Sequence, residues 1–224
     1  TTQATTQATT QATTQATTRA TTQATTRATA AATNLIQSAK YSNNNTFGTS
    51  DFTNLVPIGN PTADDLNMTD HSFTAMAKVY LTSHSGDKTI FGANESSGNT
   101  NSRRFMHLVV RNGRYKMGFF GNDYNSSTNN TLNTWEHITY VYDKNARQMK
   151  IYKNGILIGS ASNKNSYLGT KDIYLGQWNN RHKWQGQIKN IHIFDRVLDP
   201  NEILLLATTQ ATTQATTQAT TQAT

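Results

Sequence analysis

Aromatic and branched aliphatic side chains are confined to the middle of the chain, and this distribution most constrains what it can fold into. Residues 1–28 hold only Thr, Gln, Ala and Arg, and residues 207–224 hold only Ala, Thr and Gln. Such segments cannot bury enough apolar surface to offset their own chain entropy. The 9 Tyr, 8 Phe and 3 Trp lie within residues 33–206. We therefore expect one domain at 33–206 between two repeat segments, 1–32 and 207–224.

The two terminal segments share a tetrapeptide repeat. Thr-Thr-Gln-Ala or Thr-Thr-Arg-Ala fills residues 1–28, and the unit resumes at Thr208, Thr212, Thr216 and Thr220. Identical residues at a period of four drift around a helix of 3.6 residues per turn, and β-branched Thr is a poor helix former. Polyproline II repeats every three residues and does not match a four-residue unit. An extended strand repeats every two residues, so a four-residue unit fits it without drift. The repeat therefore predicts an extended segment rising about 13 Å per unit.

Two states of the repeat remain open. The first is a solvated, disordered linker, the ordinary state of a polar low-complexity tract. The second, which we favour, is a stalk stiffened by sugars on the hydroxyls, since dense Thr beside Ala resembles mucin-like tracts. Extended repeats can also pair between chains into fibres. The candidate O-glycosylation sites are Thr1, Thr2, Thr5, Thr6, Thr9, Thr10, Thr208, Thr209, Thr212 and Thr213.

Charge and composition exclude several classes of protein. The net charge is +7, but no basic run or recognition motif accompanies it, so we expect no nucleic-acid binding. A generic solvated surface is the favoured interpretation of this charge, and a surface for acidic polysaccharide is the alternative. No cysteine is present, which excludes disulfides and thiolate metal sites. No apolar run approaches the roughly 20 residues of a membrane span. We expect an extracellular or cell-surface protein of microbial type, and a longer one, because the chain starts without Met and ends inside the repeat.

The middle of the chain alternates with a period of two. From Phe73 to Leu81, odd positions are apolar, while Thr74, Lys78 and Tyr80 lie between them. Asn112-Gly113 and Asn154-Gly155 predict two-residue type I′ hairpins. The pattern predicts an all-β, antiparallel two-sheet sandwich (jelly roll). Its predicted strands are Phe73–Leu81, Phe105–Arg111, Arg114–Phe120, Trp135–Tyr142, Met149–Lys153, Ile156–Gly159, Asp172–Leu175 and Ile188–Phe194, and its predicted core includes Trp135, Ile138, Tyr140, Ile151, Leu175 and Ile188.

Near the end of the chain, Asp199-Pro200-Asn201-Glu202 predicts one helical turn. Asp199 suits the N-cap, and Pro200 suits the first helical position. Glu202 stands at the third helical position, where its side chain can accept a hydrogen bond from the N-cap amide.

A series of motifs in this order resembles a known family. The motifs are Phe73-Thr74, Trp135–Asp143, Ile151–Gly155, Tyr174-Leu175-Gly176, Trp184–Ile188 and Phe194–Leu198 with Glu202-Ile203. Together they are similar to the laminin-G-like, concanavalin A-like lectin-fold domain of bacterial and viral surface proteins, over about 54–206. The resemblance implies two curved antiparallel sheets and binding of glycans or protein partners, with calcium at the rim in some members.

Two predicted loops, 121–125 and 176–184, carry residue types that bind sugars. Aromatic rings stack on the apolar faces of sugars, while amides and acids take the hydroxyls. We expect a glycan site from Asn122, Asp123, Tyr124, Trp178, Asn179, Arg181 and His182. For Trp178, core packing is an equal alternative, and Trp184 is expected in the core. Asp64, Asp65 and Asp123 are weak calcium candidates, and no metal or other cofactor is expected.

No motif of an enzyme is present. A glycosidase needs a pair of facing carboxylates, and no Glu-x-Asp-x-Glu, Gly-x-Ser-x-Gly, His-Glu-x-x-His or P-loop pattern occurs. We expect a non-enzymatic adhesive or structural protein, a repeat stalk or fibre displaying a lectin-like domain, with glycans and copies of itself as partners. The alternatives are a carbohydrate-binding module joined by flexible linkers to an enzyme outside this chain, and ice binding by the Thr repeat, which lacks a strict Thr-x-Thr lattice.

Overall fold

Two antiparallel sheets face each other in the computed structural model, which describes residues 2–53, 61–93, 102–178 and 181–209. One sheet has six strands in the order β1-β11-β2-β7-β8-β9, and the other has five in the order β10-β3-β4-β5-β6. The predicted two-sheet sandwich is confirmed. Its strands are β1 (Tyr41–Asn43), β2 (Phe73–Leu81), β3 (Lys88–Ala93), β4 (Met106–Arg111), β5 (Arg114–Gly118), β6 (Asp123–Asn129), β7 (Trp135–Asp143), β8 (Gln148–Lys153), β9 (Ile156–Ala161), β10 (Tyr174–Leu175) and β11 (Gly186–Phe194).

The core fills the space between the inner faces of the sheets. The alternating apolar side chains of β2 meet those of β4 and β5 there, and Trp184 is fully buried among them. Ile138, Tyr140, Ile151, Leu175 and Ile188 are all buried, as predicted. Both predicted hairpins are confirmed, because Asn112 and Gly113, and likewise Asn154 and Gly155, have the positive φ values that a type I′ turn requires.

Trp135 is not in this core, which corrects the prediction for it. Strand alternation places Glu136, Ile138 and Tyr140 on the inner face of β7, so Trp135 falls on the outer face, where it is half-buried. Three strands, β1, β3 and β6, were not predicted. The sequence of β6, Asp123–Asn129, is almost wholly polar because β6 is the edge strand of its sheet and its side chains are largely exposed.

The N-terminal repeat is helical, which contradicts the predicted extended conformation. Helix α1 (Thr2–Gln37) runs through the repeat and past residue 32 without a break. In a helix of 3.6 residues per turn, equivalent residues of successive units are rotated by about 40° around the helix axis. This drift matters only when one face of the helix must be buried. Residues 10–27 are all exposed, so the drift carries no penalty in this segment.

A period of four also matches the spacing of helical hydrogen bonds. The Oγ1 hydroxyls of Thr18, Thr22 and Thr26 donate to the carbonyls of Thr14, Thr18 and Thr22, at 2.8–2.9 Å. Thr17, Thr21 and Thr25 make the same bonds to the carbonyls four residues earlier. Each Thr is therefore hydrogen-bonded to its equivalent in the preceding unit, which satisfies the hydroxyl within the helix.

Both helices dock on the outer face of the six-stranded sheet. Ala32 at the end of α1 and Ile203 and Leu206 of a second helix, α2 (200–209), pack against Met76 and Val141. Helix α2 is the predicted helical turn extended into the start of the second repeat. Its capping box is confirmed: Asp199 Oδ1 accepts from the Glu202 amide at 3.0 Å, and Glu202 Oε2 accepts from the Asp199 amide at 2.9 Å.

No helix in the described residues is both long and apolar enough to cross a membrane. Of the glycosylation candidates, Thr208 and Thr209 lie in α2, where their hydroxyls donate to the carbonyls of Leu204 and Leu205. Thr1, Thr212 and Thr213 lie outside the described residues.

Candidate functional site

One row of residues crosses the outer face of the five-stranded sheet. Gly92 on β3 pairs with His107 on β4, His107 pairs with Gly118 on β5, and Gly118 pairs with Asp123 on β6. Because directly paired residues point to the same face, these four share one side of the sheet. Because Gly92 and Gly118 have no side chains, neighbouring side chains can pack directly over the backbone of this row.

Trp178 lies over one end of this row. A Cβ atom on Gly92 would come within 2.9 Å of the Trp178 Cβ, so only glycine allows this approach. The indole stacks on the His182 ring at 5.1 Å and 25°, and its centroid is 5.5 Å from that of His107. Trp178 is half-buried, and its Nε1 has no hydrogen-bond partner in the described structure. Trp178 is therefore not part of the main core cluster; its ring is partly exposed, while its Nε1 is buried.

The Asp123 carboxylate lies over the other end of the row. Its Oδ1 is 3.1 Å from His107 Nε2, and its Oδ2 is 2.8 Å from Lys116 Nζ. Burial raises the pKa of the Asp123 carboxyl, but His107 and Lys116 outweigh that effect and hold this pKa well below its ordinary value. Asp123 is thus a fixed anion, and a Cβ on Gly118 would displace it, since that atom would lie 2.4 Å from Oδ1.

A second ion pair borders the site at Asp87. The Arg111 guanidinium donates through Nε to both carboxylate oxygens of Asp87, at 2.8 and 2.9 Å, and Nδ1 of His182 is 3.9 Å from Asp87 Oδ2. Burial raises the pKa of the Asp87 carboxyl, but the bonds from Arg111 together with the charges of Arg111, His182 and Lys116 outweigh burial, so this pKa is lowered. A groove of about 430 Å³ opens beside this pair, lined by 85–88 and 182–185 with Thr49. Its volume is that of a small-ligand pocket.

Aromatic rings continue along the edge of the site. Phe105 makes an edge contact with Trp178 at 6.2 Å and contacts Phe120 at 5.6 Å. The Phe120 side chain is 46% exposed. Together with His182, these rings form a surface of successive aromatic groups beside the fixed Asp123 and Asp87 carboxylates.

The structure brings together only part of the predicted glycan site. Asp123 and Trp178 both contact His107, and His182 stacks on Trp178. Arg181 joins Trp178 through backbone hydrogen bonds only, and its side chain is exposed. Asn179 lies outside the described residues.

Asn122 and Tyr124 do not line the site, which corrects that part of the prediction. Asn122 is buried and donates through Nδ2 to the carbonyl of Asn165 at 2.7 Å. Tyr124 alternates with Asp123 on β6, so its ring packs on the core side, where its hydroxyl lies against Gly159. Both residues therefore make structural contacts at the edge of the sandwich.

The calcium candidates do not form a site in the described residues. Asp64 and Asp65 are exposed, and Asp65 Oδ2 accepts from the amide and hydroxyl of Thr62 at 2.9 and 2.7 Å. Asp123 is held by His107 and Lys116. No group of three His, Cys, Asp or Glu side chains with metal-binding geometry occurs in the part of the chain described.

The sequence prediction missed His107, Lys116, Asp87, Arg111 and the two glycines. His107 and Lys116 are the polar members of alternating strands, and this signal places them on an outer face. Their proximity to Asp123 and Trp178 depends on the register of four strands, which alternation alone does not determine.

Comparisons with known proteins identify the fold. Residues 59–204 match the family described as the Concanavalin A-like lectin/glucanases superfamily. No curated protein is significantly similar to the chain.

Solved structures with the same fold include three proteins from different organisms. The first is the CBM40 of the Ruminococcus gnavus IT-sialidase bound to alpha2,3 sialyllactose, with 17% identity and a TM-score of 0.53, covering 62% of this chain and 84% of that one. The second is domain 4 of AbnA, an extracellular arabinanase from Geobacillus stearothermophilus, in complex with arabinotriose, with 20% identity, a TM-score of 0.51, and coverage of 66% and 70%. The third is a SAP-like pentraxin from Limulus polyphemus, with 16% identity, a TM-score of 0.50, and coverage of 61% and 70%.

Proposed function

Because the chain belongs to the Concanavalin A-like lectin/glucanases superfamily, we propose that its sandwich is a non-catalytic glycan-binding module displayed outside the cell by the Thr-rich repeats. The observation that carries the proposal is the arrangement of Trp178 and His182 above Gly92, beside the fixed Asp123 carboxylate. A sugar ring can stack on the aromatic surface while its hydroxyls donate to the partly exposed Asp123 carboxylate. Two of the solved structures with this fold hold an oligosaccharide, sialyllactose in one and arabinotriose in the other.

The same geometry supports binding without hydrolysis. A glycosidase acid needs a raised pKa, so that it holds a proton at neutral pH. The two carboxylates on this face, Asp123 and Asp87, are instead paired with cations, and both have lowered pKa values. Neither can serve as the proton donor to a leaving group.

Helix α1 supports a stiff stalk in preference to a flexible linker. At 1.5 Å per residue, its 36 residues span about 54 Å. The threonine hydroxyls from Thr14 to Thr26 donate to carbonyls four residues earlier, and a sugar on the hydroxyl oxygen replaces the hydrogen that makes this bond. O-glycosylation therefore weakens the helix at each modified unit. It also solvates the stalk, which can thus be a bare helix or a sugar-bearing segment.

The glycan-binding proposal is tested with the purified chain and an array of neutral and acidic oligosaccharides, followed by calorimetry on those that bind. Trp178→Ala is expected to weaken binding by about tenfold or more, because it removes the stacking surface. Asp123→Asn, which keeps the shape and removes the charge, is expected to have a similar effect. The matched control is Ile156→Ala, which truncates a 67% exposed apolar side chain on the other sheet. Equal affinity in all three variants contradicts this site.

A further inference from the structure

The groove beside Asp87, here called the Asp87 groove, continues the surface that begins at Trp178. His182 borders both places, since its ring stacks on the Trp178 indole at 5.1 Å and its Nδ1 lies 3.9 Å from Asp87 Oδ2. The His182 side chain is 35% exposed and lines the groove. Trp178 and the Asp87 groove are therefore two adjacent parts of one surface, and they meet at His182.

One side of the Asp87 groove is held in place by hydrogen bonds to the rest of the sandwich. This side is the segment 182–185, which precedes β11. The His182 carbonyl accepts from the Thr89 amide at 2.9 Å. The Gln185 carbonyl accepts from the Thr82 amide at 2.9 Å and from the Thr82 hydroxyl at 3.0 Å. The segment is thus positioned before any ligand arrives, which reduces the entropy cost of binding.

The other side of the groove, residues 85–87, leaves space for a ligand. A Cβ atom on Gly86 would meet no atom of the described residues within 4 Å. Ser85 and Gly86 are exposed, and so is Gln185 on the first side. Ser85 offers a hydroxyl, Gln185 an amide and Asp87 a carboxylate, and the hydroxyls of a sugar can hydrogen-bond to all three kinds of group.

The charges along this surface are already paired within the protein, which favours a neutral ligand. Arg111 Nε donates to both oxygens of Asp87, and Lys116 Nζ lies 2.8 Å from Asp123 Oδ2. Lys88, which follows Asp87 in the chain, is buried. An anionic sugar would meet two fixed carboxylates and cations that are already engaged. A neutral sugar can instead donate its hydroxyls to the carboxylates, as charge-assisted hydrogen bonds.

We propose that the site takes a neutral, unbranched oligosaccharide, with one sugar unit at Trp178 and a later unit of the same chain in the Asp87 groove. The inference rests on the proposed function, because it extends the glycan site at Trp178. The chain crosses the exposed part of His182. The unit in the groove hydrogen-bonds to Ser85, Asp87 and Gln185. Because the two units are joined, the second binds without a second loss of translational freedom, so a chain long enough to reach the groove binds more tightly.

The test is calorimetric titration of the whole chain with β-1,4-linked chains of glucose, galactose and mannose, from one to five units long. In a series that binds, the affinity is expected to rise by about tenfold once the chain reaches the groove and then to level off. Ser85→Tyr fills the groove from an exposed position, so it is expected to remove this gain and leave binding of the short chains unchanged. Gln185→Ala removes one side-chain contact and keeps the backbone, and a smaller loss confined to the long chains is expected. The matched control is Ser162→Tyr, the same change at an exposed position just after β9.

Two results overturn this inference and leave the glycan site at Trp178 in place. One is an affinity that is independent of chain length while Trp178→Ala still weakens binding, and the other is equal affinity of Ser85→Tyr and Ser162→Tyr for the five-unit chain. Absence of binding by all three series also overturns it, and the array of neutral and acidic oligosaccharides then decides whether the function proposed above fails too. Unchanged affinity in Trp178→Ala overturns both. Thermal unfolding of each variant is measured beside the titration, and Gln185→Ala decides the outcome if Ser85→Tyr unfolds early.

Discussion

Lys153 places its Nζ 2.5 Å from Oε1 of Glu136, and the Glu136 side chain is only 2% exposed. Glu136 lies on the inner face of β7, between the sheets. Its second oxygen accepts from Asn130 Nδ2 at 2.7 Å and from the Tyr115 hydroxyl, and Oε1 also accepts from the Thr131 amide at 3.1 Å. A buried carboxylate with this many donors ties both sheets together at one end of the sandwich.

Lys153→Met is expected to destabilise the domain by about 3–5 kcal/mol, because it leaves the Glu136 charge buried without a cation. Urea unfolding followed by tryptophan fluorescence measures the change. Adding Glu136→Gln to the same chain is expected to restore part of the loss, since the amide carries no charge. A double variant no more stable than Lys153→Met alone shows that the cost is packing and not charge.

Gly118→Ala is expected to disrupt the candidate glycan site and to cost about 1–3 kcal/mol, as for an overpacked position. The added Cβ would lie 2.1 Å from His107 Nε2 and 2.4 Å from Asp123 Oδ1, so these side chains must separate. Sugar binding and the free energy of unfolding are measured together. Gly48→Ala is the control, because the nearest atom to its Cβ is 3.8 Å away. Wild-type stability in Gly118→Ala contradicts the described geometry.

Acid is expected to loosen the sheet that carries the helices. Burial lowers the pKa of His137 to about 3 and that of His192 to about 4, and the charges of His192 and Lys78 add to the effect at His137. Because the unfolded chain protonates both near pH 6.5, the unfolded state binds more protons between about pH 6.5 and 4. The stabilisation is fully present above pH 6.5 and is lost as the pH falls, by up to about 1.4 kcal/mol per pH unit for each histidine.

Unfolding free energies measured between pH 7 and 4 test this directly. His137→Leu removes one titrating group, so the slope in this window is expected to decrease whatever happens to the absolute stability. An unchanged slope in His137→Leu means that this imidazole titrates normally in the folded state.

Ala16→Pro is expected to interrupt α1 and reduce the helical circular dichroism of the whole chain. Proline removes an amide donor and clashes with the preceding turn, at a cost of about 3 kcal/mol in a helix interior. The sandwich should unfold at the wild-type temperature, because residue 16 is exposed and far along the chain from the docked end at Ala32. Ala16→Ser is the control substitution. Identical spectra at 222 nm for the proline and serine variants would show that the repeat is not helical in solution.

Much of the sandwich was predictable because strand alternation and turn chemistry are local. Asn112-Gly113 and Asn154-Gly155 specify their turns through φ values that few other residues adopt, and Asp199 with Glu202 specifies a helix start in four residues. The N-terminal repeat was wrongly predicted as extended because the argument from drift assumes a buried face. From Thr14 to Thr26 the threonine hydroxyls are paired with carbonyls four residues earlier, so a helix without any buried face leaves these hydroxyls satisfied.

The candidate site was predictable only in part, for a related reason. Trp178, His182 and Asp123 were identified by their chemistry, while Asn122 and Tyr124 were assigned to the wrong environment because residues 121–125 were predicted to form a loop, whereas β6 begins at Asp123. A polar edge strand resembles a loop in sequence, since exposed strands carry the same residue types.

The sequence by itself determined that a single β-sandwich core lies between two repeats, because only residues 33–206 contain the side chains that can bury apolar surface. Only the tertiary structure decided which polar residues meet. His107 reaches Asp123 because β4, β5 and β6 pair in one register, and Trp178 reaches His107 because Gly92 and Gly118 leave space above the sheet. Register and close approach arise from contacts between residues far apart in the chain, and a pattern of neighbouring residues does not contain them.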